Sequence, residues 1–113
     1  MLKERIHILK AAEVISSETA DFVNAIIDEL AEKYADKNSE MEMFTTHLAM
    51  ATQRTLDQSE VESLDDMIWV DVQESEVFGT ACEMLEKIVE KAPCEFPEGE
   101  RRFLLMHLCN LNQ

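Results

Sequence analysis

The chain has 113 residues, 46% of them hydrophobic, and sets 24 acidic side chains against 10 basic ones for a formal net charge of −14. That length fits one domain with its own core, over residues 1–113, and the hydrophobic share excludes a solvated acidic tail. So acidic a balance excludes unaided nucleic-acid binding, which neutralises phosphates with Lys and Arg, and opposes an anionic membrane surface; a basic protein partner fits it better.

Two glycines and two prolines, both prolines near the C-terminus, leave the chain almost without helix breakers and favour an all-α fold. The three cysteines, Cys82, Cys94 and Cys109, are odd in number and lack CxxC spacing. They give neither a disulfide framework nor a zinc signature, and free thiols suggest a reducing compartment. "MLKERIHILKAAEVI" carries charges throughout and holds no apolar run long enough for a signal peptide or a membrane span. The expected location is the cytoplasm.

In chain order, residues 2–15 read as a helix with Leu2, Ile6 and Leu9 on one side, interrupted by Ser16 and Ser17, either of which can cap a second helix. "ETADFVNAIIDELAEKY" places Phe22, Val23, Ile26, Ile27, Leu30 and Tyr34 at helical spacing. After the connector "ADKNSE", Ser39 and Glu42 have the spacing of a capping box, which predicts a third helix running to Leu56. Residues 57–73 mix four Asp and two Glu with Val61, Leu64, Ile68 and Trp69, a short helix between loops. From Ser75 the helical period returns with Val77, Ala81, Met84, Leu85 and Ile88, and it stops before Pro93. Pro97 suits the first position of a last helix carrying Phe103, Leu104, Leu108 and Leu111. The sum is a bundle of five to six antiparallel helices.

Two of these helices carry a histidine among apolar residues. His47 lies seven residues ahead of Arg54 on the third, and His107 lies seven residues after Glu100 on the last. Seven residues is close to two turns, so each pair falls within roughly 20° on one face of its helix. Met43 and Met50 flank His47; Phe103 and Leu104 flank His107. Between Asn38 and Glu86 there are twelve acidic residues and one basic one, Arg54. A guanidinium so isolated serves either as the partner of a carboxylate or as the anchor of an anion near His47, for which its planar fork suits phosphate. Glu100 has the bland alternative of favouring the positive end of its own helix. His7, in "ERIHIL", has no comparable setting and reads as structural; the seven methionines read as core filler and the cysteines as small buried hydrophobes.

At these residues the chain resembles a known family. "HLAMATQR" is similar to the first signature of the phosphotransferase-system regulation domain, the PRD, and "PEGERRFLLMH" to the second, in which proline precedes a glutamate seven residues ahead of a histidine. The order of the signatures, the 60 residues between His47 and His107, and the all-helical setting agree with it over residues 5 to 112. Thr46 departs from it, standing where many members carry aspartate.

The resemblance implies a compact helical bundle, commonly dimeric, of the kind found in antiterminators and activators of sugar operons, with no catalytic activity and no cofactor or metal. It implies that His47 and His107 accept phosphoryl groups from a histidine-containing phosphocarrier protein or a sugar-permease component, with Arg54 and Glu100 as motif companions. The expected function is then that of a single regulatory module acting in trans through phosphorylation and dimerisation. The alternative is a scaffold of the same fold that is never phosphorylated. A small metal-dependent or hydrolytic enzyme using the same histidines finds no HExxH spacing to support it.

Overall fold

The computed structural model describes residues 2–113 as six helices, with no strand among them. They are α1 (Leu2–Ala11), α2 (Ser17–Leu30), α3 (Asn38–Leu56), α4 (Asp66–Glu74), α5 (Phe78–Lys91) and α6 (Glu98–Asn112). The last helix is the hub. It packs most extensively against α5 and α3 and also meets α4, while α1 and α2 close against each other and against α3. Leu104, Leu108 and Leu111 of α6 are buried with Phe44 and Leu48 of α3, Val23 and Ile26 of α2, and Leu85 of α5. Each such side chain contributes about 1.5–3 kcal/mol through removal from water.

The helix starts have local causes. Ser16 caps α2, its Oγ accepting from the Thr19 N–H at 3.2 Å. Asp65 caps α4, accepting from Met67 N–H at 2.9 Å and Ile68 N–H at 3.4 Å. The expected capping box at Ser39 does not form, because α3 begins two residues earlier than that cap requires. Lys37 is its N-cap, no side chain caps it, and Ser39 already lies inside the first turn. Likewise Pro97 stands just outside α6, as its N-cap, rather than at the first helical position. α5 begins at Phe78 and not at Ser75, since Ser75 forms a turn there: its Oγ accepts from Val77 N–H and its carbonyl from Phe78 N–H.

Two helix ends are not marked by glycine. α1 stops at Ala11, short of the expected residue 15, because Glu13 turns into the left-handed region at φ 61°. The Glu13 N–H then donates to Lys10 O at 3.0 Å and Val14 N–H to Leu9 O at 2.9 Å, the double closure of a Schellman motif. α3 ends in the same way. Gln58 has φ 58°, its N–H donates to Thr55 O, and Ser59 N–H donates to Arg54 O.

Tertiary hydrogen bonds fix the frame around α3 and α6. The carboxamide oxygen of Gln53 in α3 accepts from Ser16 N–H at 2.8 Å and from the Thr19 hydroxyl at 2.9 Å, pinning the α1–α2 corner. The buried Tyr34 hydroxyl, just after α2, donates to Asn112 Oδ1 at 2.6 Å near the end of α6. Gly99 sits in the first turn of α6, where an added Cβ would lie 2.9 Å from Val61 Cγ1; the loop between α3 and α4 rests on that bare position.

Not every apolar residue fills the core. Met43 is 60% and Met67 79% exposed, which corrects the reading of the methionines as filler; Met41 is buried, Met50, Met84 and Met106 pack at the core's edge, and Met1 lies outside the described residues. Of the thiols only Cys109 is fully buried, and Cys82 and Cys94 are half-buried. His7 is exposed on α1. No helix among the described residues is long and apolar enough to cross a membrane.

Candidate functional site

α3 and α6 run antiparallel, and the two seven-residue spacings face each other across their interface. His47 therefore meets His107, and Arg54 meets Glu100. The rings of His47 and His107 have centroids 4.9 Å apart at an interplanar angle of 40°, and the His47 ring also lies 5.4 Å from that of Phe103. At the other end, Arg54 Nε donates to Glu100 Oε2 at 2.8 Å and Arg54 Nη2 to Glu100 Oε1 at 3.0 Å. All four residues singled out in the sequence stand in one cluster.

The pairing differs from the one that the motifs suggest. Arg54 and Glu100 are not separate companions of the two histidines but partners of each other. The Glu100 carboxylate is 1% exposed, and a buried carboxylate needs a donor set that matches its two oxygens. The planar fork of Arg54 supplies it. Hydrogen bonding to Glu100 raises the guanidinium's pKa still further. The guanidinium that the sequence left open as a carboxylate partner or an anion anchor is therefore held by a carboxylate. Nor does Glu100 merely complement the start of α6, since it lies inside the fold.

His47 rests on this ion pair. Its Nε2 is 3.7 Å from Glu100 Oε1, too far for a hydrogen bond, and that buried nitrogen has no other partner. Burial lowers the pKa of His47 to about 4; the neighbouring His107 and Arg54 push the same way and Glu100 opposes them. Burial also lowers the pKa of His107. Both rings are therefore neutral at pH 7, the state in which an imidazole nitrogen offers its lone pair to an electrophile.

The surroundings of the two rings differ. His107 lines an open cavity of about 420 Å³ together with Lys37, Glu40, Met43, Asn110 and Gln113. Lys37 reaches across from the start of α3 to donate from Nζ to the main-chain oxygen of Gln113. Lys37 and Asn110 have no place in either histidine signature. Only the antiparallel docking of α3 on α6 brings Lys37 to His107, by carrying the N-terminus of α3 toward the C-terminus of α6. On α6, Arg102 is engaged elsewhere: it pairs with Glu98 at 3.1 Å and covers the Trp69 ring at 4.9 Å. Thr46, next to His47, accepts from Arg5 of α1 at 3.3 Å, so the position carries a neutral hydroxyl tied to α1. Among the described residues no group of three or more His, Cys, Asp or Glu side chains is placed to hold a metal ion.

Comparison with family models places residues 20–111 in a match to the PRD domain. Comparison with curated proteins and with solved structures gives no match.

Proposed function

Because this chain belongs to the PRD domain family, the regulatory modules governed by the sugar phosphotransferase system, we propose that His47 and His107 form one phosphoryl-accepting site that reports the state of that system to a partner protein in trans. The contact of two neutral imidazoles at 4.9 Å above a buried ion pair is the observation that carries this reading. Phosphoryl transfer to imidazole asks for a neutral nitrogen that a donor can approach, and the open cavity beside His107 supplies the approach. A phosphoryl group adds about −1.5 to −2 charges. Set between α3 and α6, that charge acts on the helix pair that organises the core, and a change in their packing is the means of output.

The donor in this reading is a histidine-containing phosphocarrier protein or a sugar-permease component, and the responding form is a homodimer. Exposed Met67, Ile68 and Val70 on α4, with Ile8 on α1 and Val14 just beyond it, are apolar surface that supports association. Regulation of transcription or metabolism is the expected output, in the cytoplasm.

One observation favours a second reading, in which the fold serves as an unphosphorylated scaffold: Arg54 is bound to Glu100 and is not free to receive a phosphate. Sedimentation before and after phosphorylation separates the two. A switch changes its association state when phosphorylated, and loses that response in the variant His47→Ala with His107→Ala. A scaffold associates equally in wild type and variant, whether or not the donor is present.

A further inference from the structure

The two histidines are chemically alike but not equally placed to carry a phosphoryl group. Such a group needs space for three oxygens and a cation to offset its charge. Beside His47 stands the Glu100 carboxylate, 3.7 Å from Nε2, which repels incoming oxygens. The nearest guanidinium, that of Arg54, already gives two hydrogen bonds to that carboxylate. Releasing it would leave Glu100 buried and unpaired.

His107 opens instead into the cavity between the start of α3 and the end of α6, of about 420 Å³. Its lining contains one cation, Lys37, two amide side chains that can donate, Asn110 and Gln113, and one opposing carboxylate side chain, Glu40. Lys37 Nζ donates to the main-chain oxygen of Gln113, just after α6, which holds the ammonium at the cavity's rim.

Resting on the proposed phosphoryl-accepting function, we propose that His107 is the acceptor of this conformation, that Lys37 is the positioning residue that receives the phosphoryl oxygens, and that a protomer carries one phosphoryl group at a time. The donor class is a protein phosphohistidine. A ring nitrogen of neutral His107 attacks phosphorus and forms a new P–N bond. The donor's P–N bond breaks and its electron pair stays on the donor's ring nitrogen. One imidazole is thus exchanged for another, and no outside proton, oxidant or reductant is needed. Once His107 is phosphorylated, its charge stands a ring's width from His47, and a second phosphoryl group there would meet like charge at short range while Arg54 stays held by Glu100.

The test uses potassium phosphoramidate, a small phosphoryl donor that needs no protein recognition, on the intact chain. Exposed His7 serves as the internal reference for an unhindered imidazole. Tandem mass spectrometry should place phosphate on His7 and His107, with His47 labelled at least about tenfold more slowly than His107. Lys37→Gln should lower the His107 to His7 labelling ratio severalfold at unchanged thermal stability, and Lys37→Arg should restore it. Labelling of His47 as fast as His107, phosphate on both in one chain, or a ratio indifferent to Lys37→Gln would each overturn the inference. A parallel reaction with a phosphorylated phosphocarrier protein keeps the two ideas apart. Failure there, with His107 still labelled by phosphoramidate, removes the regulatory function and leaves the reactivity of His107 in place.

Discussion

Arg54 of α3 and Glu100 of α6 join their helices by two parallel hydrogen bonds of 2.8 and 3.0 Å, with the carboxylate almost wholly buried and the guanidinium partly solvated. This pair sets the register in which His47 faces His107.

Breaking the pair from one side leaves a buried charge. Arg54→Ala should destabilise the fold by about 3 kcal/mol, toward the lower end for a buried pair because the arginine is partly solvated. Replacing both partners, Arg54→Met with Glu100→Leu, should return stability to within about 1 kcal/mol of wild type, since an apolar pair of similar volume needs no compensation. Urea unfolding of Arg54→Met, Glu100→Leu and the double variant, beside Arg54→Ala, measures this as a thermodynamic cycle. Equal losses in Arg54→Ala and in the double variant would mean that the pair does not hold the interface.

Stability should also depend on His47 through pH. Its folded pKa of about 4 lies below the unfolded value of 6.5, so between those values the unfolded chain binds more protons. The contribution is fully present above the unfolded pKa and is lost as pH falls toward the folded one, on the order of 3 kcal/mol in all. His107, also lowered by burial, acts in the same sense. The net charge of −14 works oppositely, because protonating surface carboxylates relieves repulsion. The difference between wild type and His47→Gln isolates the histidine. Wild type should lose stability relative to that variant between pH 7.5 and pH 5, and a constant difference would contradict the burial of Nε2.

The left-handed residue that closes α3 offers a gain. At φ 58°, Gln58 adopts a conformation that suits glycine, so Gln58→Gly should stabilise the fold by about 0.5–1 kcal/mol, the relief of strain outweighing the added freedom of the unfolded chain. Thermal unfolding reads it as a raised Tm. A lowered Tm would show that the Gln58 side chain matters more than its backbone.

Tyr34 ties the connector after α2 to the end of α6 through its hydroxyl on Asn112. Tyr34→Phe removes that donor and leaves a partly buried acceptor unmet, at a cost of about 1–2 kcal/mol. Hydrogen exchange should show the loss concentrated in the last turn of α6. Unchanged protection there would place the anchor elsewhere.

The legibility of each feature in the sequence depends on the range of the forces that shape it. Phe22, Val23, Ile26 and Ile27 announce α2 by period alone, and Pro93 announces the end of α5, because both signals are local. The ends of α1 and α3 were not equally marked, since Glu13 and Gln58 take the place usually given to glycine; α3 nonetheless ends at Leu56 as expected, whereas α1 falls short. Ser39 and Glu42 had capping-box spacing, but the chain entered the helix before them. His47, Arg54, Glu100 and His107 were all readable as candidates from two seven-residue spacings. Their partnership was not, because which residue faces which depends on the antiparallel docking of α3 on α6. Lys37 lay beyond reach for the same reason, as it approaches His107 only through that docking.

Transfer from a phosphorylated phosphocarrier protein, followed by intact mass under conditions that preserve phosphohistidine, is the decisive measurement of whether the α3–α6 histidines accept phosphoryl groups. The α3–α6 histidine pair should take up one phosphoryl group per chain, and His47→Ala with His107→Ala should abolish that uptake while remaining folded. No uptake by wild type where a known acceptor is labelled, or equal uptake by the double variant, would contradict it.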